Sequence, residues 1–279
     1  MWALDPDAEH VAAINRDGLS LTGAVELAGR LSARTRADEI PACELVILAT
    51  KGTVTETACG QAARLLRSAT ACSVQNGIGN EEVIARYAPR VIRGVTLPAG
   101  RLKAPGVIEI VGPGPTWLGP YEPRPAPHAG IDHLADMLNA TGLDSHACAD
   151  ARPPQWTKLL FNAAVNPLCA LTGMTHGQLI DDPPMRALAS RIVAEGRAVA
   201  TAAGITLDDD PESLIDSAGR ANHGHRPSML QDVTAHRATE IDTLNGGIVR
   251  EGETHHVATP VNALIQTLIR GVERGWQVA

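Results

Sequence analysis

Three residues in the middle of the chain have the types and spacing of a proton-handling site. In "WTKLLFNAAVNP", Lys158, Asn162 and Asn166 recur at i, i+4 and i+8. On a helix advancing about 100° per residue they form one polar stripe. Their neighbours Leu159, Leu160, Phe161, Ala163, Ala164 and Val165 are apolar, which predicts a helix buried on most sides. Buried polar groups must find partners, or each costs on the order of several kcal/mol. A desolvated lysine has a lowered pKa and suits donation of a proton to a carbonyl oxygen. The plainer alternative is a stripe that bonds neighbouring loops, with Lys158 at the surface.

Two further stretches carry candidate chemistry. In "SMLQDVTAHRATEIDTLNG", Ser228 follows Pro227, and Glu240 and Asp242 come later on what reads as one helix over residues 228–241. Ser228 is an ordinary N-cap type, and Glu240 lies within reach of Arg237. In "QNGIGNEE", Asn76 and Gly77 follow a short apolar run, and Lys51 directly follows "LVILAT". Both places are carboxyl ends of predicted strands, where open parallel sheets bind ligands. Asn-Gly is also a common turn pair. The pairs His223/His225 and His255/His256 lack a third ligand at a recognised spacing, so no metal site is expected. Cys43, Cys59, Cys72, Cys148 and Cys169 are scattered and without CxxC spacing. They read as reduced and mostly buried.

The elements that must position these residues follow two grammars. In the first half, short apolar runs ("LVILAT", "ACSVQNG", "VIRGVTL", "GVIEIVG") alternate with helical stretches over residues 54–66, 80–88 and 131–141. This alternation predicts an α/β domain with a parallel sheet. "GPGPTWLGPYEPRPAPHAG" reads as a loop, and its glycines do not fit a phosphate-binding GxGxxG. "GLDSHACAD" reads as a last strand. After residue 150 helical periodicity dominates, over residues 155–165, 184–203, 211–217, 228–241 and 260–270. The predicted organisation is an α/β domain over residues 1–150 and an all-helical domain over 151–279.

Bulk properties narrow the function classes. Of 279 residues, 44% are hydrophobic but only 3% aromatic, so a sizeable core must be built from Ala, Val, Leu and Ile. The net charge of −7 and the lack of any Lys/Arg block argue against nucleic acid. No apolar run reaches the ~18 residues of a membrane span. A soluble cytoplasmic protein is the expectation.

Taken together, "LVILATKG", "SVQNGIGNEE", "WTKLLFNAAVNPLCALTG" and "SMLQDVTAHRATEIDTLNGGIVREG" resemble the ketopantoate reductase (2-dehydropantoate 2-reductase) family over nearly the whole chain. The resemblance implies a Rossmann domain followed by an all-α domain of the 6-phosphogluconate dehydrogenase C-terminal type, often dimeric. It implies NAD(P)H-dependent reduction of a 2-oxo acid, with no metal. Lys158 would be the general acid, and Glu240 would help organise cofactor and substrate. Asn162 and Asn166 would bond the substrate's hydroxyl end, and Ser228 its carboxylate. Lys51 and Asn76 would touch cofactor and substrate from the sheet side, and Gly100 would lie beside the nicotinamide. His176 falls where some relatives place a substrate-contacting asparagine.

Family members begin with a strand and a GxGxxG loop. The opening "MWALDPDAEHV" matches the second strand of such a domain and the helix after it, so a first βα unit of roughly 25–30 residues is expected upstream. Asp5 then stands where the ribose is gripped. A carboxylate accepts a 2′-hydroxyl and repels a 2′-phosphate, which favours NADH over NADPH. Two alternatives to ketopantoate reduction are a reductase of another 2-oxo acid and a non-catalytic small-acid-binding or dimerisation module.

Overall fold

The computed structural model describes residues 1–276. The chain forms two compact units. One takes in Met1–Thr50, Val54–Gln75 and Glu81–Ala151; the other takes in Lys51–Thr53, Asn76–Asn80 and the chain from Arg152 onward.

The first unit starts with β1 (Trp2–Leu4) and α1 (Ala8–Asp17). Asp7 starts α1 by accepting hydrogen bonds from the Glu9 and His10 amides, the usual remedy for unpaired N–H groups at a helix start. Next come β2 (Leu19–Gly23), β3 (Leu27–Gly29) and β4 (Ser32–Arg34). β1 pairs in parallel with β4. Val11 and Ile14 of α1 bury against Ala33. The Asn15 side chain bonds both the N–H and the C=O of Ala33, at 2.9 and 3.0 Å, and so serves β4 as a strand neighbour would.

A five-stranded sheet follows, built from β5 (Leu45–Leu48), β6 (Thr70–Ser73), β7 (Arg90–Thr96), β10 (Thr116–Pro120) and β11 (Ser145–Ala147). Its order is β11-β10-β7-β6-β5. β5, β6 and β7 are parallel as predicted, but β10 runs antiparallel to β7, so the sheet is mixed. β10 comes from the Pro/Gly-rich stretch read as a loop. Its inward residues Thr116 and Leu118 are buried, and Gly119 and Pro120 close the strand, still paired with Arg93 and Ile92.

Period-2 alternation sends successive residues to opposite faces. Ala71 and Val91 face α2 (Thr55–Gln61), α3 (Ala63–Leu66) and α4 (Asn80–Ile84) through Cys59, Leu66 and Ile84. Cys72 and Ile92 face Ile131, Leu134 and Ala135 of α5 (His128–Asn139). The "GVIEIVG" run lies in a separate sheet. There β8 (Ala99–Ala104) and β9 (Val107–Gly112) join β2 and β3 in the order β3-β2-β9-β8. Among the described strands, β1 has a neighbour on one side only and β5 is a sheet edge. Trp2, Leu4 and Ile47 are exposed there.

The second unit centres on α6 (Arg152–Thr172), longer than its periodicity predicted. Around it lie α7 (His176–Asp181), α8 (Pro183–Ala202), α9 (Pro211–Ala221), α10 (Ser228–Thr234), α11 (Asn245–Thr254) and α12 (Pro260–Gly275). Trp156, Leu159, Leu160, Ala163, Ala164 and Leu168 of α6 sit in the core with Ile192, Ile215, Ile248 and Ile265. Pro167 lies inside α6 and has no N–H to offer the Ala163 carbonyl. Asn245 Nδ2 takes that place at 3.1 Å. Asn245 in turn donates to Asn262 Oδ1 at 3.0 Å, and the Glu195 carboxylate accepts from the Val261 and Asn262 amides at the start of α12. This buried polar chain ties α6, α8, α11 and α12 together.

Candidate active site

Lys158 and Asn162 are half-buried on α6, and Asn166 is buried one turn further on. The stripe therefore deepens along the helix, because α6 packs on most of its circumference. Burial pushes the Lys158 ammonium down to about 8, and the nearby Glu240 carboxylate partly offsets this by favouring the charged form. A lysine so poised holds a proton near neutrality yet releases it readily.

Glu240 is buried, 9% exposed, which makes its partners informative. Its two oxygens accept from the Gly52 amide and from Asn76 Nδ2, each at 3.1 Å. The structure thus brings Lys158, Glu240, Asn76 and the residue after Lys51 together, four of the segments singled out by sequence. Glu240 is not on the helix of Ser228, however. The predicted helix over residues 228–241 stops at Thr234, the end of α10. His236 has φ of 51°, and the Arg237 amide turns back to the Asp232 carbonyl at 2.9 Å. Arg237 pairs with Asp232, at 3.0 Å, rather than with Glu240. Ser228 is the first helical residue, not the cap, which is Pro227 without a side-chain cap bond. Its hydroxyl is thus not used as a helix cap, and the residue is exposed.

The Asn76–Gly77 turn is clamped by the 240–243 turn. Ile78 N donates to the Thr243 carbonyl at 2.9 Å and Gln155 Nε2 to the Gly77 carbonyl at 3.3 Å. Gly77 has φ of +83°, and a Cβ there would lie 2.3 Å from the Thr243 carbonyl oxygen. Gly52 meets the same threonine, its would-be Cβ lying 2.9 Å from Thr243 Cγ2. In "KG" and "NG" the glycine is needed because backbone or side chain of Thr243 passes so close.

Sequence reasoning missed Asp232. Its side chain is buried, accepting from Lys51 Nζ on one oxygen and from Arg237 Nε on the other at 3.0 Å. An acid four residues after Ser228 is a signal the sequence does contain. His176 begins α7, is 2% exposed, and packs edge-on to Phe161 with ring centroids 5.6 Å apart. Burial, then His225, lowers its pKa, so it is neutral at physiological pH. Buried thiols are poor nucleophiles here: burial pushes Cys72 and Cys169 up to about 12.

In the first unit, Asp5 directly follows β1 and accepts from the Asp7 amide at 2.8 Å. Asp5 and Gly100 line one depression of about 360 Å³ with Asp7, His10, Arg101, Leu102 and Ile108. This chemistry fits the ribose of a dinucleotide, an acid at the carboxyl end of a strand before a helix.

Comparison with known proteins decides the family. Residues 1–123 match the family model "Ketopantoate reductase PanE/ApbA" and residues 150–273 match "Ketopantoate reductase PanE/ApbA C terminal". The chain belongs to the ketopantoate reductase family. A 2-dehydropantoate 2-reductase from Pyrococcus abyssi is 33% identical over 264 residues, covering 95% of this chain and 87% of the relative. A PanE/ApbA family ketopantoate reductase from Ralstonia eutropha JMP134 has a TM-score of 0.87 at 28% identity, covering 97% of this chain and 89% of that one. D-mandelate dehydrogenase, solved with NADH and anilino(oxo)acetate, has a TM-score of 0.86 at 27% identity, covering 98% and 91%. This ketopantoate reductase family member is therefore an oxidoreductase of the kind that reduces 2-oxo acids with NAD(P)H. Among the described residues, no helix is long and apolar enough to cross a membrane.

Proposed function

We propose that this chain reduces 2-dehydropantoate to pantoate. The observation that carries the reading is Lys158, poised at about 8 by burial beside Glu240 on the face that also bears Asn162. A nicotinamide, when bound, supplies the hydride. Lys158 then gives a proton to the keto oxygen, whose growing negative charge makes it basic. Asn162 and Asn166 hold the hydroxyl end, and Ser228 the carboxylate, so that the ketone is fixed before the proton moves. Glu240 holds Asn76 in place and keeps Lys158 from losing its proton too early. Dimerisation belongs to the same proposal; Leu264 and Leu268 stand exposed one turn apart on α12.

The test is oxidation of NADH and NADPH with ketopantoate, on this chain and on one extended at its N-terminus. A strand pairing with both β1 and β5 would join their sheets, and its carboxyl end is where a pyrophosphate would lie. Turnover of ketopantoate supports the reading, and failure in both forms refutes it. A second reading, reduction of a bulkier 2-oxo acid, is favoured by the Phe161–His176 ring pair beside Asn162. The 2-oxo acid corresponding to mandelate, run in parallel, separates the two.

Cofactor choice is a separate prediction. Asp5 and Asp7 put two carboxylates at the depression, so NADH is expected to give the higher kcat/KM. Asp5→Asn is expected to narrow the ratio by improving NADPH. A strong NADPH preference in the parent chain would sink the assignment.

A further inference from the structure

We propose that Asp232 is a positioning residue that seats Lys51 beside Ser228, completing a receptor for the substrate carboxylate and selecting 2-oxo acids over neutral ketones. This rests on the reading of Ser228 given under the proposed function.

Asp232 is one of few buried acids, 3% exposed, and a buried carboxylate must be paired. Arg237 already supplies that pairing, with Nε and Nη2 each at 3.0 Å from Oδ1. Its amide, bonded to the Asp232 carbonyl, fixes the turn that brings it there. Lys51, on Oδ2, is a second cation. The cluster therefore carries a net positive charge. The Lys51 side chain is 43% exposed, and an ammonium has three donors, of which Asp232 occupies one.

Ser228 and Asp232 are four residues apart on α10, which places them on one helix face about 5–6 Å apart at Cβ. An ammonium tethered to Asp232 thus stands next to the exposed Ser228 hydroxyl. Cation and hydroxyl together match two oxygens of a carboxylate. A substrate without that charge would gain nothing from Lys51.

The experiment compares Asp232→Asn, Asp232→Glu, Lys51→Met and the double variant Asp232→Asn/Lys51→Met with the parent chain. Substrates are ketopantoate and its methyl ester. Asp232→Asn is expected to raise KM for the acid roughly tenfold, the factor of one charge-assisted hydrogen bond. Its kcat and its KM for the ester should stay within about twofold. Lys51→Met should lower the acid-over-ester preference in kcat/KM by a similar factor, whatever it does to cofactor KM, and the double variant should lower that preference no further than Lys51→Met alone. Asp232→Glu keeps the charge but displaces Lys51, so it should show the loss even if Asp232→Asn fails to fold. Equal effects on acid and ester, additive losses, or an unchanged KM for the acid would overturn the proposal. If no form turns over a 2-oxo acid, the proposed function fails by itself. Calorimetric titration with pantoate then decides: weaker binding to Asp232→Glu supports the positioning role and equal binding overturns it.

Discussion

Lys158→Ala is expected to lower kcat by about 10²–10⁴, the usual contribution of a positioned acid, while ketopantoate KM changes little. The pH profile carries the sharper signature. The reaction needs the ammonium, and burial holds its pKa at about 8, so the rate should fall as pH rises through about 8. Glu240 is the group that opposes the burial effect. Glu240→Gln should therefore move the falling limb to lower pH. A profile that stays flat from about pH 6 to pH 10 would remove Lys158 as the acid. Stability gives an independent check. The folded pKa lies below the ordinary lysine value of 10.5, so between the two values the unfolded chain binds more protons. The Lys158 contribution thus rises with pH from about 8 to 10.5, a slope that Lys158→Ala should abolish.

Gly77→Ala should be the most damaging single-methyl change. Its φ of +83° is strained for alanine, and the new Cβ would lie 2.3 Å from the Thr243 carbonyl oxygen, a backbone atom that cannot swing away. Strain and overpacking together suggest a loss of about 3 kcal/mol or more. At roughly 2–4 °C per kcal/mol, the melting midpoint should drop by roughly 6 °C or more. Gly142 is the control, with φ of +86° and nothing within 4 Å of its would-be Cβ. Gly142→Ala should cost only the backbone strain, about 1 kcal/mol. Equal midpoints for the two variants would show that the Thr243 contact does not constrain the turn.

Much of this molecule was legible in its residues. The i, i+4, i+8 stripe on α6 is local, and periodicity found it. The parallel strands β5, β6 and β7 are apolar runs of strand length bounded by turns, and they too were found. Short strands were lost. β3 has three exposed residues and β10 is hidden among prolines and glycines, so neither shows a pattern of its own; tertiary pairing makes them strands. The end of α10 was misread because the apolar spacing continues through Ile241, while the chain leaves the helix at His236 to let Arg237 reach Asp232. Likewise, the helix predicted over residues 155–165 stops short of Pro167, whereas α6 runs through it to Thr172, with the distant Asn245 side chain serving the Ala163 carbonyl. Glu240 stood out in its own stretch and took its role from the family resemblance, but its bonds to Gly52 and Asn76 join residues 188 and 164 positions apart, a link no sequence window contains.

The path of the chain has a consequence for dissection. It passes from one unit to the other five times, after Thr50, Thr53, Gln75, Asn80 and Ala151. Cutting at Ala151 therefore does not release a finished helical piece. The fragment beginning at Arg152 would carry Glu240 without the Gly52 amide and the Asn76 side chain, and Asp232 without Lys51. Two buried carboxylates would each lose partners at once, although Asp232 would keep Arg237. The helical half is thus a tenant of strand ends it does not encode, and gene fusions or domain exchanges with relatives should move residues 51–53 and 76–80 along with it.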